Sequence, residues 1–276
     1  MKINGESPNF LIITTDEERF PPPYENDEAR DFRVEHSAVL DEMRSNGLEF
    51  LNHHVASTAC SPSRTTIYTG QYPSLHGVSQ TPGIGKTSFD QNMFWLEPNT
   101  VPTLGDYFRQ AGYQTWYRGK WHISYEDIDI LGTQTPLLSN DNQGKPFPER
   151  IALYAKANQL EKYGFSGWIG PESHGPIQAN NASLRDPGTA NQVCQLLLEL
   201  DRQASSGGEQ PPFLIVSSFL NPHDIVFAYI WKWFPDFLAS ESDLPLVAPA
   251  PTADEALESK PRCQKPEFLT KYPRID

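Results

Sequence analysis

Apolar residues along this chain gather into short runs separated by polar stretches rich in proline, glycine and asparagine. Phe10-Leu11-Ile12-Ile13-Thr14 is continuous and β-branched, which predicts a strand covered on both faces within a parallel sheet. It turns polar at once, at Thr15-Asp16-Glu17-Glu18. Val34, Leu40 and Met43 are partly periodic and predict a helix from about Arg33 to Asn46, with Gly47 as its stop. Leu48 to Val55 reads as a strand leading into a loop at Cys60. Thr103 caps a predicted helix through Ala111, closed by Gly112, and Tyr113-Gln114-Thr115-Trp116-Tyr117-Arg118 is the next strand, ending in Gly119-Lys120-Trp121-His122. Val193, Leu196, Leu197 and Leu200 recur at helical spacing before the apolar strand Phe213-Leu214-Ile215-Val216-Ser217-Ser218-Phe219.

Strands alternating with helices predict an α/β fold: a doubly wound, mainly parallel sheet with helices on both faces. In such sheets ligands collect at the carboxyl ends of the strands. The polar residues just past the strands are therefore the candidates for chemistry: Asp16 after the first, Lys120 and His122 after the middle one, and Asn221-Pro222-His223-Asp224 after the last. The stretch from about Tyr125 to Pro187 carries one helix, around Glu149 to Lys162, and otherwise reads as insertions over the site. Residues 1–244 are assigned to one catalytic α/β domain and 245–276, with no periodic element, to a Pro-rich irregular tail. No internal repeat is found.

Composition narrows the partners. A formal net charge of −13 over 276 residues, without a basic stripe, argues against nucleic acid and against an acidic membrane surface. The opening Met-Lys-Ile-Asn-Gly-Glu-Ser-Pro has no apolar core, and no run of apolar residues is long enough to span a bilayer, so the chain as written is expected to be cytoplasmic. Cys60, Cys194 and Cys263 are widely spaced and odd in number, which fits neither a disulfide framework nor a zinc ribbon. Asn181-Ala182-Ser183 spells a glycosylation sequon that has no purpose without secretion. Gly85-Lys86-Thr87 lacks the glycine a phosphate loop needs, since position 80 is Gln80, and no nucleotide site is assigned.

Residues 60 to 77 carry the sharpest signal: Cys60-Ser61-Pro62-Ser63-Arg64 opens the run and Tyr72-Pro73-Ser74-Leu75-His76-Gly77 closes it. Pro62 suits the first turn of a helix and Gly70 the left-handed residue that ends it, predicting a short helix from about Ser61 to Thr69. Its amino terminus would lie beside Cys60 and favour an anion, and Arg64 adds a forked donor matched to sulfate or phosphate oxygens. His76 is assigned to backbone support of this loop; His53 and His54 are left as strand or loop residues.

The run resembles the signature of the sulfatases, in which the cysteine of a Cys-x-Pro-x-Arg core is oxidised to formylglycine. Asn9 to Asp16, Gly119-Lys120-Trp121-His122 and Ser218-Phe219-x-x-Pro222-His223 resemble further elements of that family, so the match spans about residues 8 to 224. The resemblance implies an alkaline phosphatase-like fold and a sulfuric ester hydrolase. Cys60 would become the formylglycine nucleophile, matured by a formylglycine-generating enzyme. Asp16, with Glu17 and the group at position 60, would bind a divalent cation, calcium or else magnesium. Arg64 and Lys120 would neutralise charge on the sulfuryl group, His122 would assist the nucleophile, and His223 would protonate the leaving side of a small-molecule sulfate ester. Singly, each has a plainer reading: Lys120 as a solvated charge, His122 and His223 as structural imidazoles, Asp16 as a helix cap.

The chain departs from the pattern in two ways. Asp16 is followed by Glu17 where many sulfatases have a second Asp, and the later strand that completes the family's metal site is not recognisable after His223. The sequence is thus expected to match the amino-terminal part of a sulfatase, its carboxyl-terminal part missing. Two alternatives stand beside it: a phosphonate or phosphate ester hydrolase of the same superfamily, and a non-catalytic fragment that self-associates through an exposed sheet edge.

Overall fold

The computed structural model describes residues 7–82, 90, 92–125, 128, 137–141, 143–172, 181–207 and 210–227. The Pro-rich tail at 245–276, the domain boundary at 244, Cys263 and the Gly85-Lys86-Thr87 run lie outside the described residues. In chain order the elements are β1 (Phe10–Asp16), α1 (Asp27–His36), α2 (Ala38–Ser45), α3 (Cys60–Thr69), α4 (Pro73–His76), α5 (Leu104–Gln110), β2 (Gln114–Gly119), α6 (Pro148–Ala157), α7 (Ala182–Ser205) and β3 (Phe213–Pro222). A 3-10 turn at His223–Phe227 follows β3.

The three strands form one parallel sheet in the order β1-β3-β2. Their side chains alternate between two helical layers. On one face Leu214, Val216 and Tyr117, flanked by Phe10 and Ile12, join Tyr68 of α3 and the aromatic residues Trp121, Tyr163, Phe165 and Trp168 in the main core. On the other, Ile215, with Trp116 and Phe213, packs under Val193, Leu196, Leu197 and Leu200 of α7. Helices on both faces of a parallel sheet bear out the expected fold class. Among the described residues no helix is long and apolar enough to cross a membrane.

Several elements differ from expectation. Among the described residues β1 is not covered on both faces: α7 lies over β3 and β2, leaving Leu11 and Ile13 44% and 50% exposed. The helix expected over 33–46 is two helices broken at Ser37, and the first starts earlier because the Asn26 side chain accepts the Ala29 N–H. Leu48 to Val55 forms no strand; among the described residues nothing pairs with it, and Leu48, Phe50, Leu51 and Val55 stay exposed. α6 stops at Asn158, whose left-handed backbone closes it short of Lys162. α7 begins inside the stretch read as insertion, capped by Asn181, whose Oδ1 accepts the Leu184 N–H. That cap is buried, so the sequon is part of the fold. Cys60 is a free thiol.

Candidate active site

The carboxyl ends of all three strands and the start of α3 meet at one place. Asp16 is the last residue of β1, Lys120 follows Gly119 at the end of β2, His223 follows Pro222 at the end of β3, and Cys60 is the first residue of α3. Ligand atoms of Asp16, Cys60 and His223 all lie within 4.8 Å of one another. The fully buried Lys120 reaches in from the other side and pairs its Nζ with Asp16 Oδ2. Gly119 allows this convergence. Its φ is +93°, and a Cβ there would lie 1.9 Å from the Ser218 carbonyl oxygen of β3.

Electrostatics tie the group together. Burial would raise the Asp16 carboxyl, but the Lys120 and Arg64 cations and the Lys120 hydrogen bond hold it below its ordinary value. His223 is raised to about 9: burial works against the charged imidazole, while hydrogen bonds to Asp224 and Cys60 and the Asp16 charge outweigh it. The His223 Nδ1 lies 3.3 Å from Asp224 Oδ1, and Asp224 Oδ2 accepts the Ala182 N–H of α7 at 2.7 Å. The ring is thereby held between the Asp224 carboxylate and Cys60.

Arg64 lies beneath this group. Its Nε donates to the Trp121 carbonyl at 2.9 Å, and Nη2 donates to Ser218 Oγ at 2.6 Å, Tyr117 Oη at 3.0 Å and the Lys120 carbonyl. Its charge stays close to Asp16, but these donors are engaged by the protein. His122 is buried in the left-handed region, φ +60°, with its ring beside Trp95. Glu17 does not join Asp16; it is exposed and lines an adjoining hollow of 1380 Å³ with Arg19, Phe20, Phe50, His54 and Asn221.

Glu172 escaped the sequence reading. Its buried carboxylate accepts the Trp121 N–H at 3.1 Å and the His122 N–H at 2.8 Å. Nothing local marks it: it follows Gly170-Pro171 in a stretch without periodicity. His76 does support the loop after α3, accepting the Val78 N–H at Nδ1 and facing Thr66 Oγ1 with Nε2.

The donors test the expected cation. Calcium takes six to eight oxygens, and among the described residues the cluster offers one carboxylate, already paired with Lys120, beside a thiol and an imidazole. That set does not fit a hard cation by itself.

A family model described as Sulfatase matches residues 8–270. Arylsulfatase G of Rattus norvegicus is 32% identical over 247 residues, covering 80% of this chain and 43% of the relative. Delta 4,5-hexuronate-2-O-sulfatase of Bacteroides thetaiotaomicron is 25% identical over 222 residues, covering 80% and 35%. The chain spans less than half the length of these curated relatives. A solved structure from work on glycosaminoglycan metabolism by Bacteroides thetaiotaomicron shares the fold, with a TM-score of 0.51 at 18% identity over 83% of this chain and 49% of that one.

Proposed function

Because this chain belongs to the sulfatase family, we propose that it carries the nucleophile-bearing part of a sulfuric ester hydrolase acting at Cys60. The observation behind this reading is the clustering of Cys60, Asp16 and His223 within 4.8 Å, at the edge where three parallel strands end. The names of its relatives point to aryl and sugar sulfate esters as the substrate class. The family generally matures its cysteine to formylglycine, whose hydrated aldehyde supplies the hydroxyl that attacks sulfur. A formylglycine-generating enzyme is therefore the maturation partner.

The residues divide the remaining work. Cys60 opens α3, where the free N–H groups and helix dipole favour the sulfate oxyanion. Lys120 brings a buried cation to the sulfuryl oxygens, and Asp16 keeps it oriented. His223, charged at neutral pH and hydrogen-bonded towards Cys60, is placed to give its proton to the departing ester oxygen. Asp224 fixes the ring for that transfer. Arg64 acts from below by clamping the Lys120 and Trp121 carbonyls. Asp16 would be the described ligand for the family's divalent cation, with calcium or magnesium as the candidates; since the described donors fall short of such a site, no step is routed through it.

The test is hydrolysis of a small aryl sulfate by the 276-residue chain co-produced with a formylglycine-generating enzyme, with conversion of Cys60 read by peptide mass. Turnover that disappears in Cys60→Ala is the expected result. Faster turnover of the matched phosphate ester would shift the reading to phosphoryl chemistry, and no turnover with Cys60 fully converted would sink it.

A further inference from the structure

We infer that Glu172 is a positioning residue for this reaction, its carboxylate fixing the backbone turn at Trp121 and His122 that presents Lys120 to the site. The kinetic part of the inference rests on the hydrolase reading; the structural part rests on geometry alone. The turn from Lys120 to His122 is held from two sides by opposite charges. Its N–H groups, from Trp121 and His122, point at the two oxygens of Glu172, 3.1 and 2.8 Å away. Its carbonyls, from Lys120 and Trp121, face the Arg64 guanidinium. His122 adopts a left-handed backbone that an L residue keeps only when its surroundings over-determine it. Glu172 and Arg64 supply that constraint.

The segment bearing Glu172 is itself anchored. Trp168 Nε1 donates to the Gly119 carbonyl at 2.9 Å, and Arg185 of α7 donates to the Pro171 carbonyl at 3.2 Å. The carboxylate is thus delivered by a fixed strut rather than by a free loop. Each oxygen accepts from one buried N–H, so the side chain must offer two acceptor oxygens and be long enough to span two adjacent amides. Glutamine would set an NH₂ against one of the donors, and aspartate would fall short by a methylene.

The experiment compares wild type with Glu172→Gln, Glu172→Asp and Glu172→Ala, using the aryl sulfate assay and amide hydrogen exchange of the peptide spanning residues 119–123. In Glu172→Gln, kcat is expected to fall about 100-fold, as a small misplacement of a reacting group does, with KM changed less than about threefold. The variant should remain folded under assay conditions, with a lowered unfolding midpoint from the unsatisfied donor, and exchange at Trp121 and His122 should accelerate. Glu172→Asp should recover part of kcat. Should Glu172→Ala unfold, Glu172→Gln decides. Wild-type kcat with unchanged exchange in Glu172→Gln overturns the inference, as does a loss of kcat that merely tracks the folded fraction. If wild type itself turns over nothing, the hydrolase reading has failed on its own, and the exchange measurement alone decides whether Glu172 holds the turn.

Discussion

His76 shows how a single neutral ring can fix a loop. Nδ1 accepts the Val78 N–H at 3.1 Å and Nε2 lies 3.2 Å from Thr66 Oγ1, so the ring links α4 to α3 with its one proton on Nε2. Burial, opposed by the backbone hydrogen bond, lowers its pKa from 6.5. A depressed native value means that the unfolded chain takes up the proton first as pH falls. The stabilisation is therefore present above 6.5 and lost as pH drops through the native value. Urea midpoints measured from pH 7 to 5 should fall, and part of that fall should vanish in His76→Gln. Asp16, Cys60, Lys120 and His223 were legible in the sequence because each sits where an apolar run ends or a helix begins. Arg64 was legible as a residue, but its bonds to the Trp121 and Lys120 carbonyls, 57 and 56 positions away, were not. Glu172 was not legible, since its role depends on N–H groups 50 and 51 positions away.

Element boundaries followed their chemistry where that chemistry was local. α5 is set by a capping box, in which Thr103 Oγ1 accepts the Gly105 and Asp106 N–H groups and Asp106 accepts the Thr103 N–H. The same hydroxyl donates to the Tyr163 carbonyl at 2.6 Å, joining the cap to the main core. Thr103→Ala should therefore cost about 1–2 kcal/mol, the range of a lost cap plus a buried hydrogen bond, measured by denaturant unfolding. Such caps, and the uninterrupted runs of β2 and β3, made those elements readable. The run from Leu48 to Val55 misled because apolar content alone does not make a strand; a partner must accept its hydrogen bonds. α1 was anticipated late because its cap, Asn26, lies before any periodic residue.

At the scale of the molecule, β1 is an outer strand of the sheet among the described residues, and its Leu11 and Ile13 are half exposed on the side α7 leaves uncovered. Open strand edges invite pairing with another chain, while a net charge of −13 opposes it. Raising the salt from about 10 mM to about 0.5 M shortens the Debye length from roughly 30 Å to a few ångströms and should increase association in sedimentation velocity. Ile13→Lys should suppress that increase; an unchanged sedimentation profile in the variant would place any association elsewhere. The strand order β1-β3-β2 also imposes a timetable. β3 is the last of the three to leave the ribosome yet the one on which both others pair, with Thr14 meeting Ser218 across 204 positions. Before residue 213 is synthesised, β1 and β2 have no common partner, and Cys60 has neither His223 nor a finished sheet beside it. An enzyme acting on Cys60 during translation would meet it on an open chain, and docking of β3 would then bring Cys60 and His223 together in one late step.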